Sequence, residues 1–223
     1  VPSDQSRDIR EVLAPQITPP ESPLSLRRVL TSSQMVLLVS IYGICGIQDF
    51  FVVTHVVAFA RDQGMGAILA GNLLALMGLM GLLGVLASGL LADAFGAVRP
   101  TVICFIIRLF IFAVIIFDQS TASIMVFGLF YGFTNLITAP LTVVFVGNIF
   151  VVARLGTLAG VIVMVYQFSG GFGAFLGALI FYNRGSYDDA FKLMSILSLV
   201  AVLFTYMVRE RALPGVLTSS PPG

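Results

Sequence analysis

Three side chains with acid–base chemistry stand inside otherwise apolar stretches of this 223-residue sequence: Asp49, His55 and Arg108. Asp49 lies in the run Gly46-Ile-Gln-Asp-Phe-Phe-Val-Val-Thr-His55. On a helix, Gln48 and His55 share one face, and Asp49 is turned about 100° from Gln48. A carboxyl among apolar neighbours holds its charge at high cost, which suits a carrier of a proton or cation. It suits equally an inter-helix hydrogen-bonding partner. His55, nearer the outer end of its stretch, is a second coupling candidate or an interfacial side chain. Arg108 is placed to meet an anionic substrate or a carboxylate, or to snorkel to headgroups about 10 Å away.

A second set of polar side chains has helical spacing. Tyr131, Asn135, Thr138 and Thr142 fall at intervals of 4, 3 and 4. One helical face therefore carries all four, with Pro140 opening the backbone ladder beside them. Such a stripe reads as the lining of a substrate path, with helix cross-linking as the alternative. Tyr166 and Gln167 form a lesser candidate just before the flexible stretch 169–173.

Other chemistries are excluded. With 1 His, no HExxH motif is possible, and neither GxSxG nor a Walker loop is present. No enzyme activity, cofactor or metal is expected. Gly171-x-Gly173-x-x-x-Gly177 follows no strand pattern and reads as helix packing, not as a dinucleotide loop. Net charge is +1 and the 12 Lys and Arg are dispersed, so nucleic acid is no partner. Cys45 and Cys104 lie in apolar runs without CxxC spacing and read as small buried hydrophobes.

These residues must be positioned by membrane-spanning helices. The chain is 58% hydrophobic and 10% charged, against about 25% charged in soluble domains. Its solvent is lipid. Six apolar runs, 35–60, 67–91, 101–117, 124–146, 156–181 and 190–208, approach the ~20 residues that cross a bilayer core. The third is shortest, and Ala97 and Val98 would extend it across a kink at Pro100. Residues 1–22 read as a disordered cytoplasmic linker, 23–34 as a juxtamembrane helix, 35–208 as the six-helix bundle and 209–223 as a cytoplasmic tail. Small residues make stripes at Gly71, Ala75 and Gly78, at Gly81, Gly84 and Ser88, and in the pairs Gly156/Gly160 and Gly173/Gly177. Arg27, Arg28, Arg99, Arg154, Arg209 and Arg211 border one side of the membrane, and Arg61, Arg184 and Lys192 the other. The positive-inside rule then puts both termini in the cytoplasm.

Gly89-Leu-Leu-Ala-Asp93-Ala-Phe-Gly96-Ala-Val-Arg99-Pro resembles the signature loop of the major facilitator superfamily, G-x-L-A-D-x-x-G-x-x-R. The resemblance implies a gating loop built on Gly89, Asp93, Gly96 and Arg99, although Ala94, Ala97 and Val98 replace basic residues usual there. The segments FFVVTHVVAFARDQG, YGFTNLITAPLT and SLRRVLTSSQM, together with Arg108, are similar to the C-terminal six helices of monocarboxylate-transporter-like and oxalate/formate-antiporter-like members.

That likeness implies an all-α, polytopic membrane protein whose six transmembrane helices form one half-bundle of a twelve-helix fold in the plasma membrane. It implies secondary active transport of a small organic anion, a mono- or dicarboxylate, by proton-coupled symport or exchange. Asp49 would carry or sense the coupling proton, Arg108 would attract or balance anionic charge, and Tyr131, Asn135 and Thr138 would line the path. Partners would be the anionic substrate, protons, the lipid bilayer, and an N-terminal six-helix half or a second copy. A non-transporting six-helix scaffold or receptor module, or a homodimeric half-transporter, is the alternative.

Overall fold

A computed structural model describes residues 26–150 and 155–209. The short α1 (Leu26–Leu30) leads into α2 (Ser33–Asp62), α3 (Ala67–Phe95), α4 (Val98–Phe117), α5 (Thr121–Ile149), α6 (Leu155–Arg184) and α7 (Asp188–Met207). The last six are long and apolar enough to cross a membrane. No strand occurs among the described residues. Backbone groups in hydrocarbon must be satisfied within their own segment, which is why each run closes as a helix.

Helix ends are set by short polar signals at the edges of the apolar runs. The side chains of Ser32 and Ser120 accept from the N–H of Met35 and Ser123, capping α2 and α5. These caps carry both helices beyond their apolar cores. The 23–34 segment accordingly divides: α1 ends at Leu30, while Ser33 and Gln34 already belong to α2. Residues 1–22 and 23–25 lie outside the described residues, as does all of the 209–223 tail except Arg209.

The two prolines sit differently in their helices. Pro100 sits in the first turn of α4, where its missing N–H falls among those without a helical acceptor, so no kink is needed. Pro140 lies inside α5, which stays helical from Thr121 to Ile149; without an N–H it donates nothing to the Leu136 carbonyl, so the ladder is opened there while the helix continues.

The dominant contacts pair α2 with α6, α3 with α5, and α4 with α7. Backbones approach closely where glycine removes the side chain. A Cβ on Gly46 or Gly173 would overlap the facing carbonyl of Tyr166 or Ile47, and one on Gly84 would overlap that of Phe133. Gly132 is similarly pressed on Met77. Of the small-residue stripes expected from sequence, Gly81/Gly84 and Gly173/Gly177 are packed in this way. Gly71, Gly78, Gly156 and Gly160 face open space.

The interior has two apolar clusters. One gathers Phe51, Phe59, Phe112, Phe127 and Phe191; the other gathers Met35, Leu38, Phe105, Leu141 and Phe145. A layer of polar side chains from α2, α4, α5, α6 and α7 lies between them. The backbone N–H of Arg209 donates to Gln34 Oε1 at 2.9 Å, so the start of α2 and the end of α7 meet on one side.

Candidate functional site

Asp49 on α2 and Arg108 on α4 meet in this polar layer. Arg108 Nη1 stands 2.9 Å from Asp49 Oδ1, and the two side chains are 0% and 2% exposed. A charge pair so far from water persists only if its remaining lone pairs and protons are also satisfied. Tyr131 OH donates to Asp49 Oδ1 at 2.7 Å. Oδ2 accepts from Tyr166 OH at 3.1 Å and from the Cys45 thiol at 3.2 Å. The carboxylate thus draws donors from α2, α4, α5 and α6.

Arg108 is held on its other edges. Nε donates to Thr134 Oγ1 at 3.3 Å and Nη2 to the Thr134 carbonyl at 2.9 Å. Nη1 also reaches Gln48 Oε1 at 3.2 Å. Its Cζ lies 4.9 Å from the Tyr131 ring centroid and 5.5 Å from that of Phe105, within cation–π range. Of the two readings open for Arg108, the geometry gives the inward one: its head turns to a carboxylate instead of snorkelling to the surface.

A cleft of about 120 Å³ adjoins the pair, lined by Asp49, Phe50, Val53, Thr54, Asn135 and Tyr166. Asp49 is therefore the member of the pair that reaches open space, and Arg108 lies behind it. The α5 stripe divides. Tyr131 and Thr138 turn inward, and Asn135 alone of the four borders the cleft. Thr138 Oγ1 donates to the Asn135 carbonyl at 3.4 Å and lies 3.5 Å from Cys45 Sγ. Thr142 donates to the Thr138 carbonyl at 3.2 Å. Thr134 lies in the buried row with Tyr131, Thr138 and Thr142, one position before Asn135.

His55 makes its contacts elsewhere. Its Nε2 is 2.9 Å from the Ala174 carbonyl, which can only accept, so Nε2 carries the hydrogen. Nδ1 lies 3.3 Å from Tyr187 OH. His55 therefore ties α2 to α6 and to the turn before α7. In the signature segment, Gly89 and Asp93 lie within α3, and Arg99 lies in the first turn of α4. Gly96 forms the turn between them with φ 75°, the left-handed region that side chains disfavour. Asp93 and Arg99 are exposed. Among the described residues the ion pairs are Arg108–Asp49, Arg184–Asp189 and Lys192–Asp189.

Sequence reasoning passed over Cys45, Thr134 and Ser198, and gave Gln48 and Tyr166 small roles. Cys45 stands four residues before Asp49, the spacing that stacks two side chains on one helical face. That signal could have been used. Ser198 carries none, since only the tertiary fold brings α7 to α2.

The fold is similar to that in the in meso crystal structure of the POT family transporter PepTSo, with a TM-score of 0.65 and 18% identity. The likeness covers 78% of this chain and 37% of that one, so the chain spans little more than a third of that transporter. No curated protein matches the sequence. The sequence profile of the Major Facilitator Superfamily, in contrast, matches residues 31–222. With a match running through all six membrane-crossing helices, the chain belongs to the major facilitator superfamily, as a six-helix half-bundle.

Proposed function

We propose that this chain works as the C-terminal half-bundle of a secondary active transporter that moves a small organic anion, a mono- or dicarboxylate, by proton-coupled symport or exchange. The observation that carries the reading is the buried Arg108–Asp49 pair, of which only Asp49 borders the cleft. A pair of that kind can be opened by a proton: protonating Asp49 removes the partner charge and leaves Arg108 able to attract an anion. Tyr131 and Tyr166 hold the carboxyl in place from α5 and α6, while Asn135 and Thr138 belong to the path lining. His55 braces α2 against α6 beyond the cleft. The segment from Gly89 to Arg99 is the gate on the side of the termini, which is the cytoplasmic face of the plasma membrane. The partner is an N-terminal six-helix half or a second copy.

The test is uptake of radiolabelled lactate, formate and oxalate by the full-length protein in proteoliposomes under an imposed pH gradient. Asp49→Asn should abolish gradient-driven accumulation yet retain exchange, and Arg108→Gln should abolish both. No uptake, and no competition among the three anions, would sink the carboxylate assignment. Equal uptake by the variants and the parent, with a stable partner complex, would favour the scaffold.

A further inference from the structure

Asp49 is not the only group that fixes Arg108. Gln48, its neighbour on α2, is fully buried, and its Oε1 accepts from the same Nη1 that Asp49 binds. The amide is locked in this orientation. Its Nε2 lies 2.9 Å from the Met194 carbonyl and 2.7 Å from Ser198 Oγ on α7. A carbonyl oxygen accepts only, and a guanidinium donates only, so a flipped amide would fail on both sides. Ser198 Oγ donates its own hydrogen to the Met194 carbonyl at 3.0 Å, leaving a lone pair for Gln48.

Building on the transporter reading, we propose that Gln48, oriented by Ser198, is a positioning residue that keeps the Arg108 guanidinium at the site when Asp49 gives up its charge. The titratable groups around Arg108 are Asp49 and Cys45 from α2, Cys104 from its own α4, and Tyr131 from α5; Tyr166 from α6 reaches it through Asp49. From α7, Ser198 and the Met194 carbonyl act through Gln48. Once Asp49 is neutral, the guanidinium keeps Gln48 Oε1 on one edge and the Thr134 hydroxyl and carbonyl on the others. Without Gln48, Nη1 would retain only an uncharged carboxyl oxygen of Asp49 and the Cys45 sulfur at 3.5 Å, a weak acceptor. A buried cation so poorly held would leave the place where an anion must find it.

The experiment measures uptake of radiolabelled oxalate and lactate by the full-length protein in proteoliposomes, with thermal unfolding of the same preparations. Gln48→Leu should raise KM about tenfold, the effect of one hydrogen bond to a charged group, and leave kcat within about twofold. Ser198→Ala should move KM in the same direction by a smaller factor. Gln48→Glu combined with Asp49→Asn should restore at least half of the melting temperature lost in Asp49→Asn, because the carboxylate has moved to a position that also reaches Nη1.

An unchanged KM with reduced kcat in both Gln48→Leu and Ser198→Ala would overturn the proposal. So would a double variant that melts like Asp49→Asn alone. If the parent protein transports neither anion, the substrate reading fails by itself, and the melting of the double variant still decides the role of Gln48. If Gln48→Leu does not fold, Ser198→Ala and the double variant carry the test.

Discussion

A carboxylate and a guanidinium enclosed together make each other's burial tolerable, and each becomes a liability when the other is removed. Arg108→Met would leave the Asp49 carboxylate with Tyr131, Tyr166 and Cys45 as its donors and no counter-charge. Breaking a buried pair in this way costs about 3–5 kcal/mol. Asp49→Asn leaves Arg108 with Thr134 and Gln48 and should cost less. The double variant should be more stable than the sum of the two single losses implies, and a thermal-unfolding cycle in detergent measures that coupling. Strict additivity would mean that the two charges do not stabilise one another. Both residues were legible in the sequence, since a charge in an apolar run stands out. Their pairing was not, because 59 positions and two turns separate them (108 − 49). The α5 stripe was legible except for its phase: Thr134 and Asn135 are equally compatible with the spacing, and only the packing of α5 decides which one is buried.

The six runs read from hydropathy became six helices, because backbone in lipid has no other outlet. Their ends shifted where a serine cap or a first-turn proline extended them, which hydropathy does not register. The same distinction governs the signature segment, whose two glycines have different duties. Gly89 lies inside α3 with open space where a Cβ would be, so Gly89→Ala should raise helix stability by up to about 1 kcal/mol. Gly96 holds φ 75° between α3 and α4, so Gly96→Ala should cost about 1–2 kcal/mol. Melting temperatures of the two variants, moving in opposite directions, would confirm the division; a loss from Gly89→Ala would show that its open face is occupied.

The turn between α4 and α5 makes a prediction about pH. Hydroxyl donation from Ser123, with the backbone N–H and hydroxyl of Ser120, holds the Asp118 carboxyl below its ordinary range. A depressed native value contributes stability above the unfolded value near 3.9 and loses it as pH falls toward the native one. Ser123→Ala should therefore reduce the difference in melting temperature between pH 6 and pH 3. An unchanged difference would show that Asp118 gains nothing from its donors.

Across the whole molecule, the number of crossings was legible and the partner choice was not. The main contacts join α2 with α6, α3 with α5 and α4 with α7, none of them neighbours in sequence. Gly46 and Gly132, which permit two of these approaches, stand three and four residues after Gly43 and Gly128, a small-residue spacing that the sequence reading passed over. The orientation rests on charge. Arg27, Arg28, Arg99 and Arg209 are exposed on the side where Gln34 meets Arg209, and Arg61, Arg184 and Lys192 are exposed on the other. Arg154 and Arg211, which enlarge the first group, lie outside the described residues. Cysteine labelling tests this arrangement against little background, because Cys45 and Cys104 are both buried. On intact cells, a membrane-impermeant maleimide should modify Gln63→Cys and Asn183→Cys, both exposed at the far side, and should reach Ala94→Cys only after permeabilisation. The inverse pattern would place the termini outside and put the proposed Gly89–Arg99 gate at the outer face. Labelling of all three sites from one side would contradict the six-span bundle itself, because α3 must carry the chain from Gln63 to Ala94 across the bilayer.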